Sequence, residues 1–271
     1  MLGIAYMHPD ISEFSYGYAL TESLVAATGR RIRAAPVFPS LIDEGRAGGG
    51  YDVHITFPGY PLFLQFKLSH LMVRRSAEEV KAGALTTPFY RFHLRPTRHS
   101  QQHPLLLDLE ATGAAVFYAA PAFHKPSELN AVYVDRSVVE RSVFLRPSQI
   151  GPLPDDKDHH IAFKPYGPAY FFSKEPRLIR ESAAGSDELL NELLQRRMET
   201  KGEEPTFENL EALADKLQRI VENRQPELRI LSGSARDGLR QRSPLSRIAY
   251  LSHAYLGSSV IWVSPPTRSD A

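Results

Sequence analysis

The chain contains no cysteine among its 271 residues. That removes disulfides, thiolate nucleophiles and every cysteine-ligated zinc site, so any metal must be held by oxygen or imidazole ligands. It also lacks an apolar run long enough to span a bilayer, and its start, MLGIAYMHPD, has neither the basic end nor the apolar stretch of a signal peptide. These features predict a cytoplasmic protein without a membrane span. Net charge is nearly absent: 32 Lys and Arg against 31 Asp and Glu leave +1, unlike the strongly basic domains that grip polyanions non-specifically. Several catalytic signatures are missing too. There is no G-x-S-x-G elbow, no G-x-x-x-x-G-K-[ST] phosphate loop and no H-E-x-x-H, and GRAGGG does not fit the spacing of G-x-G-x-x-G.

What is present suffices for a sizeable core, at 42% hydrophobic residues, built as one large domain or two modest ones. Residues 10 to 29 predict a helix, with Asp10 as cap, Phe14, Tyr18, Leu20, Leu24 and Val25 at helical spacing, and Gly29 as stop. RIRAAPVF predicts a short strand and DEGRAGGG a loop. Strands are expected at Asp52–Phe57 and Leu62–Ser69, joined antiparallel through the reversing residues Pro58-Gly59-Tyr60-Pro61. SAEEVKAGAL reads as a weak helix and PFYRFHLRP as an extended piece. SQQHPLLLDLEATG reads as a helix capped by Ser100, and AAVFYAAPAF as a buried strand. PSQIGPLPDDKD is the expected insertion or mobile loop. HHIAFKP and AYFFSKEP follow as strands, Ser186–Asn223 as a helical pair, PLSRIAYLSHAYLG as a helix and SSVIWVS as a strand. The expected division is a core of residues 1–180 with extra strands and a mostly helical C-terminal region of residues 181–271, packed separately or as part of one domain.

The stretch GYDVHITFPGYPLFLQFKLS raises the functional question. Alternation along a strand sends Leu64, Phe66 and Leu68 one way and Phe63, Gln65, Lys67 and Ser69 the other. Two polar heads thus emerge on one rim of an otherwise apolar strand, with Asp52 expected across the hairpin. A carboxylate, an amide oxygen and an ammonium at a sheet edge can hold a hard divalent cation and orient water toward a phosphate, the lysine stabilising developing charge. The plainer alternative is the solvated face of an amphipathic strand.

From about Asp10 to Phe123 the order of SEFSYGYALTESL, GYD, LQFK, SQQHPLLLDL and AVFYAAPAF resembles the PD-(D/E)xK nuclease superfamily. The resemblance implies an α/β, restriction-endonuclease-like αβββαβ core with a mixed central sheet flanked by helices. It implies Asp52 as metal-binding aspartate, Gln65 as the variable (E/Q) ligand and Lys67 as catalytic lysine, with Mg²⁺ as the ion and Mn²⁺ as a substitute. Tyr51 stands where proline is common, and Gln65 replaces the commoner glutamate, as in branches resembling Mrr-type enzymes. An amide is a weaker ligand than a carboxylate, so a further acid is needed. Glu13 and Glu22, nine positions apart, fall on opposite helix faces at about 100° per residue. Glu13 shares a stripe with Gly17, Leu20 and Leu24 and is preferred.

Gln102 and His103 open the later helix, where related nucleases often place a polar residue near the scissile phosphate. Arg74, Arg75, Arg95 and Arg98 are candidate DNA contacts, and the crowd of Arg236, Arg240, Arg242 and Arg247 would add DNA contacts, a dimer surface or a docking site for a partner protein, each weighed against an ordinary solvated surface. His159-His160 beside Asp155, Asp156 and Asp158 hints at metal, but adjacent histidines cannot chelate as an i, i+4 pair does, and loop composition explains them better. The expected activity is metal-dependent hydrolysis of DNA phosphodiesters, in restriction, phage defence or repair, with a homodimer or partner protein from the same system. A nuclease-like fold kept as a DNA- or protein-binding module is the alternative.

Overall fold

The computed structural model describes residues 6–27, 60–180, 189, 206–224, 238–239 and 241–263. Among these described residues ten strands run β1 Tyr6–Met7, β2 Tyr60–Phe66, β3 His70–Met72, β4 Phe89–Leu94, β5 Ala115–Pro121, β6 Ser142–Leu145, β7 His159–Phe163, β8 Ala169–Phe172, β9 Pro176–Arg180 and β10 Ser259–Val263. The helices are α1 Glu13–Ala27, α2 Glu78–Lys81, α3 Gln102–Ala111, α4 Pro126–Val134, α5 Pro147–Ile150, α6 Phe207–Arg224 and α7 Pro244–Leu256. None among the described residues is long and apolar enough to cross a membrane.

The α/β class holds, but the described strands form two sheets rather than one. A mixed sheet has the order β10-β2-β5-β6, and an antiparallel sheet the order β1-β3-β4-β7-β8-β9. In the mixed sheet β2 runs parallel to β5 and antiparallel to β10. Both edges of β2 are filled from Leu62 to Leu64, so β10 is the antiparallel neighbour there, in place of the expected hairpin strand. Tyr60 and Pro61 belong to β2, opposite Val263 and Trp262, rather than to a turn. The expected strand 52–57, with Asp52, and the expected strand RIRAAPVF lie outside the described residues. Because β10 inserts beside β2, the end of the C-terminal region shares the sheet of the core.

Alternation along β2 and β5 separates two apolar layers. Leu62, Leu64, Phe66, Ala115, Phe117 and Ala119 pack with α1, whose Tyr16, Leu20 and Leu24 are buried. On the other face Phe63, Val116 and Tyr118 join Leu105, Leu106 and Leu109 of α3, α6, α7 and the inner face of the antiparallel sheet. Gly17 permits the close approach of α1, since a Cβ there would stand 2.7 Å from the Phe66 ring. Phe14 and Tyr18, counted in the apolar series, face outward at 72% and 57% exposure. The cap of α1 is Ser12, whose Oγ accepts from the Ser15 N–H at 3.0 Å, rather than Asp10.

The outer face of the antiparallel sheet carries a smaller layer of Met72, Phe89, Ala162 and Phe172 beneath α2. The stripe Leu210, Leu217 and Val221 of α6 is buried as its spacing predicts, and Arg224 holds Asp108 of α3 through two bonds of 2.6 and 2.9 Å. Of the earlier stripe, only Leu189 is described, and it is buried. The segment expected as a mobile loop begins as α5, with Pro147 and Ile150 buried.

Candidate active-site rim

At the C-terminal end of β2 the alternation persists one residue past the strand, because the Lys67 N–H donates to the Ala119 carbonyl at 2.9 Å. Gln65 and Lys67 therefore share the face turned toward α3 and α7, as the sequence predicts. The Lys67 ammonium donates to Gln102 Oε1 at 2.8 Å and lies 6.0 Å from the centre of the Tyr118 ring. Gln65 is 4% exposed. Its Nε2 donates to the Phe66 carbonyl at 3.0 Å, while its buried Oε1 has no hydrogen-bond partner. An orphaned buried acceptor is costly, about 1–3 kcal/mol, and such atoms mark places where a ligand or ion completes the structure.

Gly257, which ends α7 in the left-handed conformation at φ 60°, makes room for both amides. A Cβ there would stand 2.4 Å from Gln102 Nε2 and 3.1 Å from Gln65 Oε1. The rim thus unites three distant stretches of chain: the end of β2, the first turn of α3 and the turn between α7 and β10.

Burial pushes the Lys67 ammonium down from 10.5 to about 8; the Glu13 carboxylate opposes that shift and Arg95 adds to it. Two of the predicted charges, Glu13 and Arg95, are therefore electrostatically linked to Lys67. Both side chains are exposed. On the α1–α4 side the Tyr133 hydroxyl is raised by its bond to Tyr18, then by burial and by the Glu22 carboxylate. Of the two acids on α1, Glu13 is the one whose charge acts on Lys67.

His103 is buried and fully engaged. Its Nε2 lies 2.7 Å from the Gly151 carbonyl and its Nδ1 2.8 Å from the Tyr118 hydroxyl. A carbonyl only accepts, so Nε2 carries the proton and Nδ1 accepts from the tyrosine. Burial lowers the His103 pKa, keeping the ring neutral, with the Gly151 bond opposing and Lys67 contributing. Both nitrogens are thus engaged within the protein; the ring braces Tyr118, whose ring lies 6.0 Å from Lys67 Nζ.

The arginines divide. Arg74 is half-buried and Arg75 exposed just after β3. Arg98 is tied to the 155–158 loop, its N–H donating to Asp156 Oδ1 at 2.8 Å and its Nη1 to the Asp156 carbonyl at 3.0 Å. Arg247 is 2% exposed; it donates to Glu211 at 2.6 Å, Asp215 at 2.5 Å and Gln218 at 3.0 Å. It locks α7 to α6 and is a core residue, not a nucleic-acid contact. Arg242 stacks on Tyr250, and Arg236 and Arg240 lie outside the described residues.

The residues brought together are Gln65, Lys67 and Gln102, with Glu13 and Arg95 within electrostatic reach. Gln65 Oε1 is an unpartnered buried amide oxygen, the kind of donor an oxygen-ligated divalent cation accepts, while Glu13 is linked to Lys67 through its charge. Sequence reasoning ranked Gln102 below Glu13, yet Gln102 makes the direct contact with Lys67. The signal for it was the polar first turn of a helix that follows the lysine strand. No family model, curated protein or solved structure matches the chain.

Proposed function

We propose that the chain is a metal-dependent nuclease of the PD-(D/E)xK kind, hydrolysing DNA phosphodiesters at the β2–α3 rim. The observation that carries this reading is the half-buried lysine on the same strand face as an orphaned glutamine oxygen. A protein seldom keeps an ammonium in a place that lowers its pKa to about 8 unless the charge has work to do. Lys67 would meet the charge developing on the phosphate, with Gln102 fixing the direction of its Nζ and Arg95 steering the polyanion to the rim. Gln65 Oε1 and Glu13 would hold the cation, together with Asp52 on the resemblance. When bound, the ion supplies Lewis-acid polarisation of the phosphate and a more acidic water.

The test is cleavage of plasmid and linear DNA, and of RNA in parallel, by purified protein with Mg²⁺ or Mn²⁺. Cleavage that needs the metal and falls about 100-fold or more in both Lys67→Ala and Asp52→Ala supports the enzyme. One observation favours a second reading, a binding module with an unused pocket: the Gln65 amide is buried and partly self-satisfied through Phe66. DNA retained without cleavage in either metal would select that module.

A further inference from the structure

On the outer face of the antiparallel sheet, away from the rim, α2 lays two carboxylates against a histidine of β7. His160 Nε2 stands 3.0 Å from Glu79 Oε1 and 3.5 Å from Glu78 Oε1. One ligand atom from each of the three residues lies within 4.8 Å of the others. We propose that Glu78, Glu79 and His160 form a second, separate binding site for a divalent first-row transition ion, with Zn²⁺ as its reference ligand.

The spacing is that of a coordination shell. Tetrahedral bonds of about 2.0–2.1 Å to nitrogen and oxygen place neighbouring ligand atoms about 3.3–3.4 Å apart, between the two separations found. Burial makes the same point independently. Glu79 is 0% exposed and His160 6%, yet Glu79 Oε2 has no hydrogen-bond partner, and His160 Nε2 meets only the Glu79 and Glu78 carboxylates, as charge contacts of 3.0 and 3.5 Å. The ring is fixed by stacking on Phe172 at 5.1 Å and 3°, which aims Nε2 at the carboxylates.

Arg91 Nη1, 3.4 Å from Glu79 Oε1, is the opposing charge. It is a long contact to the same oxygen that faces His160, the kind of outer partner that orients a metal-binding carboxylate. Glu78 is 63% exposed, so the shell opens to water on that side. Two carboxylates and an imidazole favour Zn²⁺ or Mn²⁺ over the all-oxygen preference of Mg²⁺. The sequence conceals this site, since adjacent histidines alternate faces in a strand and the carboxylates come from 81 and 82 positions upstream. His160 is a buried strand residue with acids above it, and the loop explanation of the histidine pair does not hold.

The experiment is calorimetric titration of chelator-stripped full-length protein with Zn²⁺, repeated with Co²⁺ to record its visible spectrum. The expected result is a Zn²⁺ equivalent whose affinity falls at least tenfold in Glu78→Gln, an exposed change that spares folding. That affinity falls at least 100-fold in His160→Gln and is unchanged in Lys67→Ala. Bound Co²⁺ shows the intense absorption of a low-coordinate site. Absence of stoichiometric Zn²⁺ binding overturns the proposal and leaves a buried ion pair. Binding unaltered by Glu78→Gln and His160→Gln, or lost with Lys67→Ala instead, also overturns it.

Discussion

Replacing Lys67 by methionine should stabilise the protein while abolishing the proposed reaction. The fall of the Lys67 pKa from 10.5 to about 8, at about 1.4 kcal/mol per unit, corresponds to about 3 kcal/mol spent holding the charge in the fold. Methionine avoids that cost and fills similar space, but gives up the bond to Gln102, worth about 1 kcal/mol. Partial solvent contact trims the gain further, leaving about 1–2 kcal/mol in favour of Lys67→Met at pH 7. The sign with pH follows from linkage. Because the folded pKa is depressed, the unfolded chain binds the extra proton between about 8 and 10.5, so the native lysine protein gains stability as pH rises through that window. Urea unfolding of both proteins at pH 7 and pH 10 measures the difference. The advantage of the variant should shrink to a fraction of its pH 7 value at pH 10. A variant less stable than the parent at pH 7, or a gap that ignores pH, would refute the reasoning.

Other consequences follow from the same geometry. Cleavage should decline as pH rises through about 8, because the ammonium form of Lys67 is then lost; an initial-rate profile from pH 6 to 9.5 checks this. Gly257→Ala forces a side chain into the left-handed region and against Gln102 Nε2, which should cost about 2 kcal/mol and slow cleavage by displacing Gln102 from Lys67. Arg247→Ala should destabilise by about 3 kcal/mol in thermal unfolding, yet leave the salt dependence of DNA binding unchanged, since its guanidinium is buried between α6 and α7.

Local pattern carried much of the fold. The alternation through Leu62–Lys67, the unbroken apolar run of β5 and the helical stripes of α3, α6 and α7 each obey a period that short stretches of sequence express. Partnership across the chain was not expressed locally. Nothing near residue 60 announces that its neighbour is residue 263, so the nearest extended segment is the partner that local sequence suggests. The split into two sheets escaped for the same reason: β3 and β4 leave the mixed sheet between β2 and β5 without any break in composition. The start of α4 has a local signal that hydrophobic periodicity alone does not reveal: Pro126 at its first turn and Glu128 reaching back to the His124 and Lys125 N–H groups. At the rim, residue type and strand face were legible for Gln65 and Lys67. The contact between Lys67 and Gln102, the space left by Gly257 and the meeting of Glu79 with His160 depend on packing between remote elements.

The account rests on a shared cation at the end of β2, and a crystal structure of the full chain soaked in Mn²⁺, with anomalous scattering to locate the ion, tests it most directly. The predicted result is a Mn²⁺ peak at the Gln65 Oε1 atom, with the carboxylates of Asp52 and Glu13 among its ligands and Lys67 Nζ alongside. Density showing the Asp52 carboxylate remote from Gln65 and Lys67, with no ion between them, would contradict it.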